Sequence, residues 1–208
     1  MDPALRRAAG DAIGFMPEEE GLALYEAGLL GASAGPLLEI GSFCGKSTIY
    51  LGAAARAGGS ILYSVDHHRG SEEHQLGEEH HDPRLVDESG RVDTLPEWRR
   101  TVASAGLDDA VVGVLGRSEQ IAAWWDTGLG LVFIDGGHSE EAATADYEGW
   151  ALQVRRSGLL VIHDVFPDPV EGGRPPYLVF RRALRSGAFV ERSACGSLRV
   201  LQRIGDGL

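Results

Sequence analysis

Lysine is nearly missing from this sequence: Lys46 stands alone beside eighteen arginines. In so lysine-poor a chain, that position is read as one needing an ammonium that arginine's planar fork does not replace. Cysteine is scarce as well, and Cys44 and Cys195 make no disulfide framework. No apolar run approaches the roughly 20 residues of a membrane span. No apolar segment follows Arg6-Arg7 as an export leader would require. The expectation is a soluble protein of a reducing, cytoplasmic compartment with no membrane partner. Positive charge is in deficit, with a net charge of −12, which repels phosphates and argues against a nucleic-acid partner. The arginine doublets at 6–7, 99–100, 155–156 and 181–182 are scattered among acids and read as solvated helix faces.

With 208 residues and 43% apolar side chains, the chain suits one α/β domain, residues 1–208, with a real core. Helical spacing covers 4–13 and 18–33, making residues 1–35 an N-terminal helical region. Short apolar runs follow at Leu37–Ile40, Ser60–Asp66, Ala110–Leu115, Leu129–Asp135 and Leu159–Asp164. Helical segments at 46–57, 95–105, 118–125 and 139–155 lie between them. This alternation predicts a doubly wound, Rossmann-like, mostly parallel sheet covered on both faces. A helix over 176–186 precedes two strands around Cys195-Gly196, read as a terminal antiparallel hairpin that brings the sheet to seven strands. Residues 67–94, rich in Gly, Glu and His and containing Pro83, resist assignment and read as a lid or substrate loop.

Residues 36–48, Pro-Leu-Leu-Glu-Ile-Gly-Ser-Phe-Cys-Gly-Lys-Ser-Thr, carry the strongest signal. An apolar strand ends on Glu39, turns through Gly41 and Gly45 and runs into a helix. Such a turn lets a ligand lie against bare N–H groups at a helix start. A phosphate-binding Walker loop fails here, because the position for its first glycine holds Ile40. A dinucleotide fingerprint counted from Gly41 lacks its middle glycine, at Phe43, and its last glycine as well. Glu-x-Gly with a further glycine fits without repair, and suits a nucleoside with a cationic amino-acid tail. Asp66 ends the next strand about 20 residues on, where an acid bonds a ribose diol. Arg117 and Ser118, after the third strand, are candidates for an adenine contact.

Two further strands end in Asp135-Gly136-Gly137-His138 and His163-Asp164. In a parallel sheet of this order their ends flank the first strand. Asp135 and Asp164 could then share a hard divalent cation such as Mg²⁺. His138, three residues past Asp135, is placed to take a proton from a hydroxyl. His163 is open as a metal ligand, a supporting group or a strand-end cap. The seven histidines lie between 67 and 163, and no pair has the helical zinc-protease spacing.

Taken together, these segments resemble the class I S-adenosylmethionine-dependent methyltransferases over nearly the whole chain. Glu39 through Gly45 looks like their first motif and Asp66 like their ribose-binding acid. Ile134 through His138 and His163-Asp164 are similar to the metal-dependent sugar O-methyltransferases of the macrocin and mycinamicin type. In that group an imidazole at the His138 position is the base and carboxylates matching Asp135 and Asp164 hold Mg²⁺; His163 departs, since an aspartate is usual there. Gly14–Pro17, Asp66–Glu73, Glu79–Pro83, Asp146–Trp150 and Ile162–Asp168 through Gly173–Pro176 look like the actinobacterial enzymes that methylate the reducing-end 1-hydroxyl of methylmannose polysaccharide precursors. The resemblance implies an enzyme using S-adenosylmethionine and Mg²⁺ on a small or short oligosaccharide acceptor. Its cofactor would contact Glu39, Gly41, Ser42, Gly45, Lys46, Ser47, Asp66, Arg117 and Ser118, and its metal Asp135, His163 and Asp164. Lys46 and Ser47 would take the methionine carboxylate. A nicotinamide dehydrogenase and a non-catalytic binder of the same nucleoside are the rival classes. The helices at 4–13 and 18–33 would form either a homodimer contact or pocket walls.

Overall fold

Leu37–Ile40 is buried at every position, as a central strand covered on both faces must be. In the computed structural model, which describes residues 1–208 apart from Glu79, His138 and Glu171, this strand is β1. Parallel neighbours are β2 (Leu62–Asp66) on one side and β4 (Leu129–Ile134) on the other. Outward from these lie β3 (Val111–Leu115) and β5 (Val154–Ile162). The antiparallel hairpin of β6 (Phe189–Cys195) and β7 (Leu198–Arg203) closes the sheet, in the order β3-β2-β1-β4-β5-β7-β6. The seven-stranded sheet expected from the sequence is what the chain forms.

Alternation along the strands divides the core in two. Leu37, Leu131, Phe133, Leu159 and Val161 face one layer. Above them pack α1 (Pro3–Asp11), α2 (Glu18–Ala32), α3 (Lys46–Ala57) and α4 (Leu95–Ser104). Leu38, Ile40, Val132, Ile134, Leu160 and Ile162 face the other layer. That layer is built on Tyr147 and Trp150 of α6 (Glu140–Trp150) and Val179 and Phe180 of α7 (Arg174–Arg185), with the short α5 (Ser118–Ala122) beside them. The N-terminal helices thus belong to the core: an added Cβ on Gly28 would sit 2.6 Å from Ala54 on α3. No helix among the described residues is long and apolar enough to cross a membrane.

Several boundaries differ from the sequence expectation: the helix expected over 118–125 ends at Ala122, and the fifth strand begins at Val154 rather than Leu159. Helix 139–155 stops at Trp150, and a 3-10 turn over Ala151–Gln153 leads into β5 at Val154. The apolar spacing runs on through Leu152, but Val154 pairs with Leu129 and is buried, so sheet pairing overrides helical periodicity. The last helix begins at Arg174 rather than 176, because Pro175 and Pro176 fit a first turn, where no intrahelical N–H bond is needed. Residues 67–94 are not structureless. They hold 3-10 turns at Glu72–His74 and Pro83–Leu85 and a Val86–Val92 bridge, with His68, Leu85 and Val92 buried.

Candidate active site

The register brings the expected residues to one rim. Ile40 pairs with Ile134 and Ile134 with Ile162, so the segments after β1, β4 and β5 leave the sheet at the same height. Gly41 lies against β4's exit: at φ +80° it takes a left-handed turn, and an added Cβ would meet the Asp135 carbonyl oxygen at 2.2 Å. Gly41→Ala should therefore cost at least about 2 kcal/mol through backbone strain and collision. A chemical-denaturation curve matching the parent's would show that the two turns do not press on one another.

Glu39 is fully buried, its oxygens accepting from the Ser47 hydroxyl at 3.1 Å and the Thr48 hydroxyl. Trp98 on α4 donates its indole N–H to Thr48 Oγ1 at 3.1 Å. Period-2 alternation turns Glu39 toward α3, so it holds the helix start from beneath rather than lining the cleft. Burial pushes its carboxyl up to about 7, against the pull of the hydroxyl bonds. From about 4.5 to about 7 the folded chain keeps a proton that the unfolded chain has released, so this group's stabilising share falls as pH rises through that window. The full difference is about 3 kcal/mol. Glu39→Gln should flatten that part of the pH–stability curve in urea denaturation. A variant with the parent's slope would exclude Glu39 as its source.

Asp66 closes the glycine turn. Its Oδ2 accepts the Ser42 and Phe43 N–H groups, each at 2.9 Å, and Oδ1 accepts the His68 N–H at 2.7 Å. The Ser42 hydroxyl adds a longer fourth bond to Oδ2 at 3.4 Å, so the oxygen with room for a further donor is Oδ1. Phe43, where the nucleotide fingerprints carry glycine, adopts φ +48°. Its ring stacks on His74 at 4.7 Å, and Phe15 lies 4.7 Å from His80. The 67–94 segment therefore sits over the glycine turn, joined there by the N-terminal loop. Lys46 Nζ lies 3.4 Å from the Gly14 carbonyl of that loop. Gly45, at φ +95°, caps α3. Cys44 is buried, and burial pushes its thiol up to about 12, which makes it an inert packing group.

Arg117 is exposed, paired loosely with Glu119 at 3.8 Å. Ser118 accepts the Trp150 indole N–H at 2.7 Å, so its hydroxyl serves the fold. Next to it lies a buried acid that sequence reasoning passed over. Asp146 on α6 is pushed up to about 6 by burial, against a bond with Ser118. An added Cβ on Gly136 would lie 2.6 Å from Asp146 Oδ2, so this carboxylate backs the Asp135-Gly136-Gly137 turn.

Asp135, His163 and Asp164 come together as the strand ends implied. Their ligand-type atoms all lie within 4.8 Å of one another, the single three-residue group of this kind among the described residues. His163 Nδ1 is 2.9 Å from Asp135 Oδ1 and 3.5 Å from Asp164 Oδ2. Two carboxylates at that spacing fit a divalent cation, and the imidazole completes the donor set once Nδ1 gives up the proton it shares with Asp135, as ligand binding to a cation requires. His163 Nε2 points the other way, onto Glu20 Oε2 of α2 at 2.6 Å. Burial alone would lower the imidazole; the Asp135 charge and bonds to Asp135, Asp164 and Glu20 push it up to about 12. Glu20 also accepts the Ser197 N–H at 2.6 Å and its hydroxyl at 3.2 Å. Burial alone would raise Glu20, yet the His163 and Ser197 bonds hold it below its ordinary value. No pattern singled out Glu20, since Glu18-Glu19-Glu20 reads as three acids favouring a helix start. His138, the expected proton acceptor, lies outside the described residues.

A family described as a methyltransferase domain matches residues 38–165, more than half of the chain, from β1 past Asp164. Solved structures share the fold. The O-methyltransferase TomG of Streptomyces achromogenes, involved in tomaymycin synthesis and bound to S-adenosylmethionine, is 19% identical with a TM-score of 0.65, over 99% of this chain and 91% of its own. The methyltransferase PaMTH1 of Podospora anserina, bound to S-adenosylhomocysteine, is 13% identical with a TM-score of 0.68, over 99% and 89%. An O-methyltransferase of Bacillus cereus, also bound to S-adenosylhomocysteine, is 15% identical with a TM-score of 0.63, over 98% and 91%.

Proposed function

The chain belongs to the methyltransferase domain family, and from that premise we propose that it moves a methyl group from S-adenosylmethionine to a sugar hydroxyl, the reducing-end 1-hydroxyl of 3-O-methylmannosides in methylmannose polysaccharide biosynthesis. One observation carries the chemistry: Asp135, His163 and Asp164 gather beside the Gly41 turn, so donor and acceptor would meet in one cleft. O-methyltransferases with the same fold, bound to S-adenosylmethionine or its demethylated product, support the donor. The sugar rests on the long sequence stretches similar to the methylmannose enzymes.

S-adenosylmethionine supplies an activated methyl on a sulfonium, and a divalent ion supplies Lewis acidity to the acceptor hydroxyl. The chain supplies placement. Asp66, with an acceptor site to spare, takes the ribose, and the Gly41–Gly45 turn gives the nucleoside a surface without side chains at its two glycines. Ser47, whose hydroxyl is committed to Glu39, offers a main-chain N–H in the first turn of α3 to the methionine carboxylate, with the Lys46 ammonium beside it. Arg117 and the main chain at Ser118 flank the adenine. Asp135 and Asp164, with His163, would hold the ion at the rim where the acceptor hydroxyl enters. His138 takes the hydroxyl proton as the oxygen–carbon bond forms and the sulfur–carbon bond breaks. Holding the reacting atoms in line is worth up to about 7–11 kcal/mol, more than the base contributes.

Labelled methyl transfer from S-adenosylmethionine to 3-O-methylmannosides of defined length, with and without divalent metal, tests the proposal. Labelled product that depends on metal is expected. Absence of transfer to every mannoside in the presence of metal would end the sugar assignment.

A further inference from the structure

A buried chain of contacts runs from the candidate metal ligands to a helix more than a hundred residues away in sequence. Glu20 belongs to the first turn of α2, yet it is only 4% exposed while Glu18 and Glu19 face solvent. Its Oε2 meets His163 Nε2 at 2.6 Å. Its Oε1 receives the Ser197 N–H from the turn between β6 and β7. The neighbouring Gly196 is left-handed at φ +52°, and a Cβ there would lie 1.9 Å from Glu20 Oε1. Three segments therefore close around one carboxylate and fix where it points.

We propose that Glu20 is the positioning residue of the metal centre: by accepting the Nε2–H of His163 it turns Nδ1 toward Asp135 and Asp164. Metal-binding histidines commonly donate their second ring N–H to a carboxylate, which sets tautomer and ring orientation. The ring here has that arrangement, with Nδ1 on the side of the two aspartates and Nε2 on the buried acid. The hydrogen bond also accounts for an acid in the core layer of α2, where an apolar residue would otherwise pack. Glu20 touches neither donor nor acceptor in this scheme and acts only through His163. The inference rests on the metal-centre part of the proposed function, and its test separates the two.

Mn²⁺ binding to the full-length chain, followed by electron paramagnetic resonance, gives a readout without turnover. Removing such an outer partner weakens metal binding by about 10–100-fold, and Glu20→Gln should do the same. Gln can accept from His163 or from Ser197, but its NH₂ group then opposes the other donor. S-adenosylhomocysteine affinity by calorimetry should stay at the parent's value, whereas a merely structural role would lower both affinities together. Equal Mn²⁺ affinity in parent and variant overturns the role of Glu20 while leaving the metal centre standing. A parent chain that binds no Mn²⁺ overturns the metal centre and this inference with it. Should the variant fail to fold, ¹⁵N-histidine spectra of the Zn²⁺-loaded parent decide: His163 protonated at Nε2 and coordinated through Nδ1 is expected, and the opposite tautomer refutes the proposal.

Discussion

Chelation by EDTA should lower methyl transfer by about 10²–10³-fold, and added Mg²⁺ should restore it, because the Lewis acidity of a bound ion is worth several kcal/mol. The expectation follows from three side chains that arrive from two strands. Asp135 follows β4, His163 and Asp164 follow β5, and their ligand-type atoms share a space 4.8 Å across. Asp135 and Asp164 are partly exposed at the rim, while His163 is buried behind them. An ion held there would have a protein side and an open side, as an acceptor requires. Asp135→Asn should reproduce the loss without disturbing the sheet, since the bond that anchors β4 to β1 at this point is the main-chain N–H of Asp135 to the Ile40 carbonyl, at 2.9 Å. Full activity in EDTA together with an active Asp135→Asn variant would make these groups structural.

His138→Ala should lose about 10²–10⁴-fold in turnover, the usual contribution of a positioned acid or base. S-adenosylhomocysteine binding should persist, because the residues assigned to the cofactor lie on β1 and β2, in the turns after β1 and β3, and at the starts of α3 and α5. Gly136 and Gly137 place His138 three residues after Asp135, and Asp146 backs the same turn through its close approach to Gly136. If His138 takes the proton, the variant loses rate at saturating substrate while KM for the cofactor stays put. An unchanged rate would remove His138 from the mechanism.

Much of this site could be read from strand ends. Apolar runs that stop at Asp66, Asp135 and Asp164 are buried strands meeting water, and a parallel sheet puts such ends along one edge. Glu39 shows where the pattern stops informing. Its spacing to Gly41 marked a turn that does lie at the rim beside Asp135, but the side chain's direction follows from the two-residue repeat, which sends it under α3. Glu20 shows a different limit. It lies 143 residues before His163, and nothing local separates it from its two acidic neighbours. Only the packing of α2 against the sheet selects the one that becomes buried. Residues 67–94 failed for a third reason: Pro and Gly mask short 3-10 turns, and buried anchors such as Leu85 and Val92 are too sparse to show periodicity. The overrun of helix 139–155 came from an apolar spacing that strand pairing at Val154 cuts short.

The most direct test of the shared cleft is magnetic. With Mn²⁺ bound, the methyl signal of ¹³C-labelled S-adenosylmethionine should broaden strongly in the parent chain, and the broadening should be lost in Asp135→Asn. A sharp methyl signal while both ligands are bound would place donor and ion in separate sites and contradict the account.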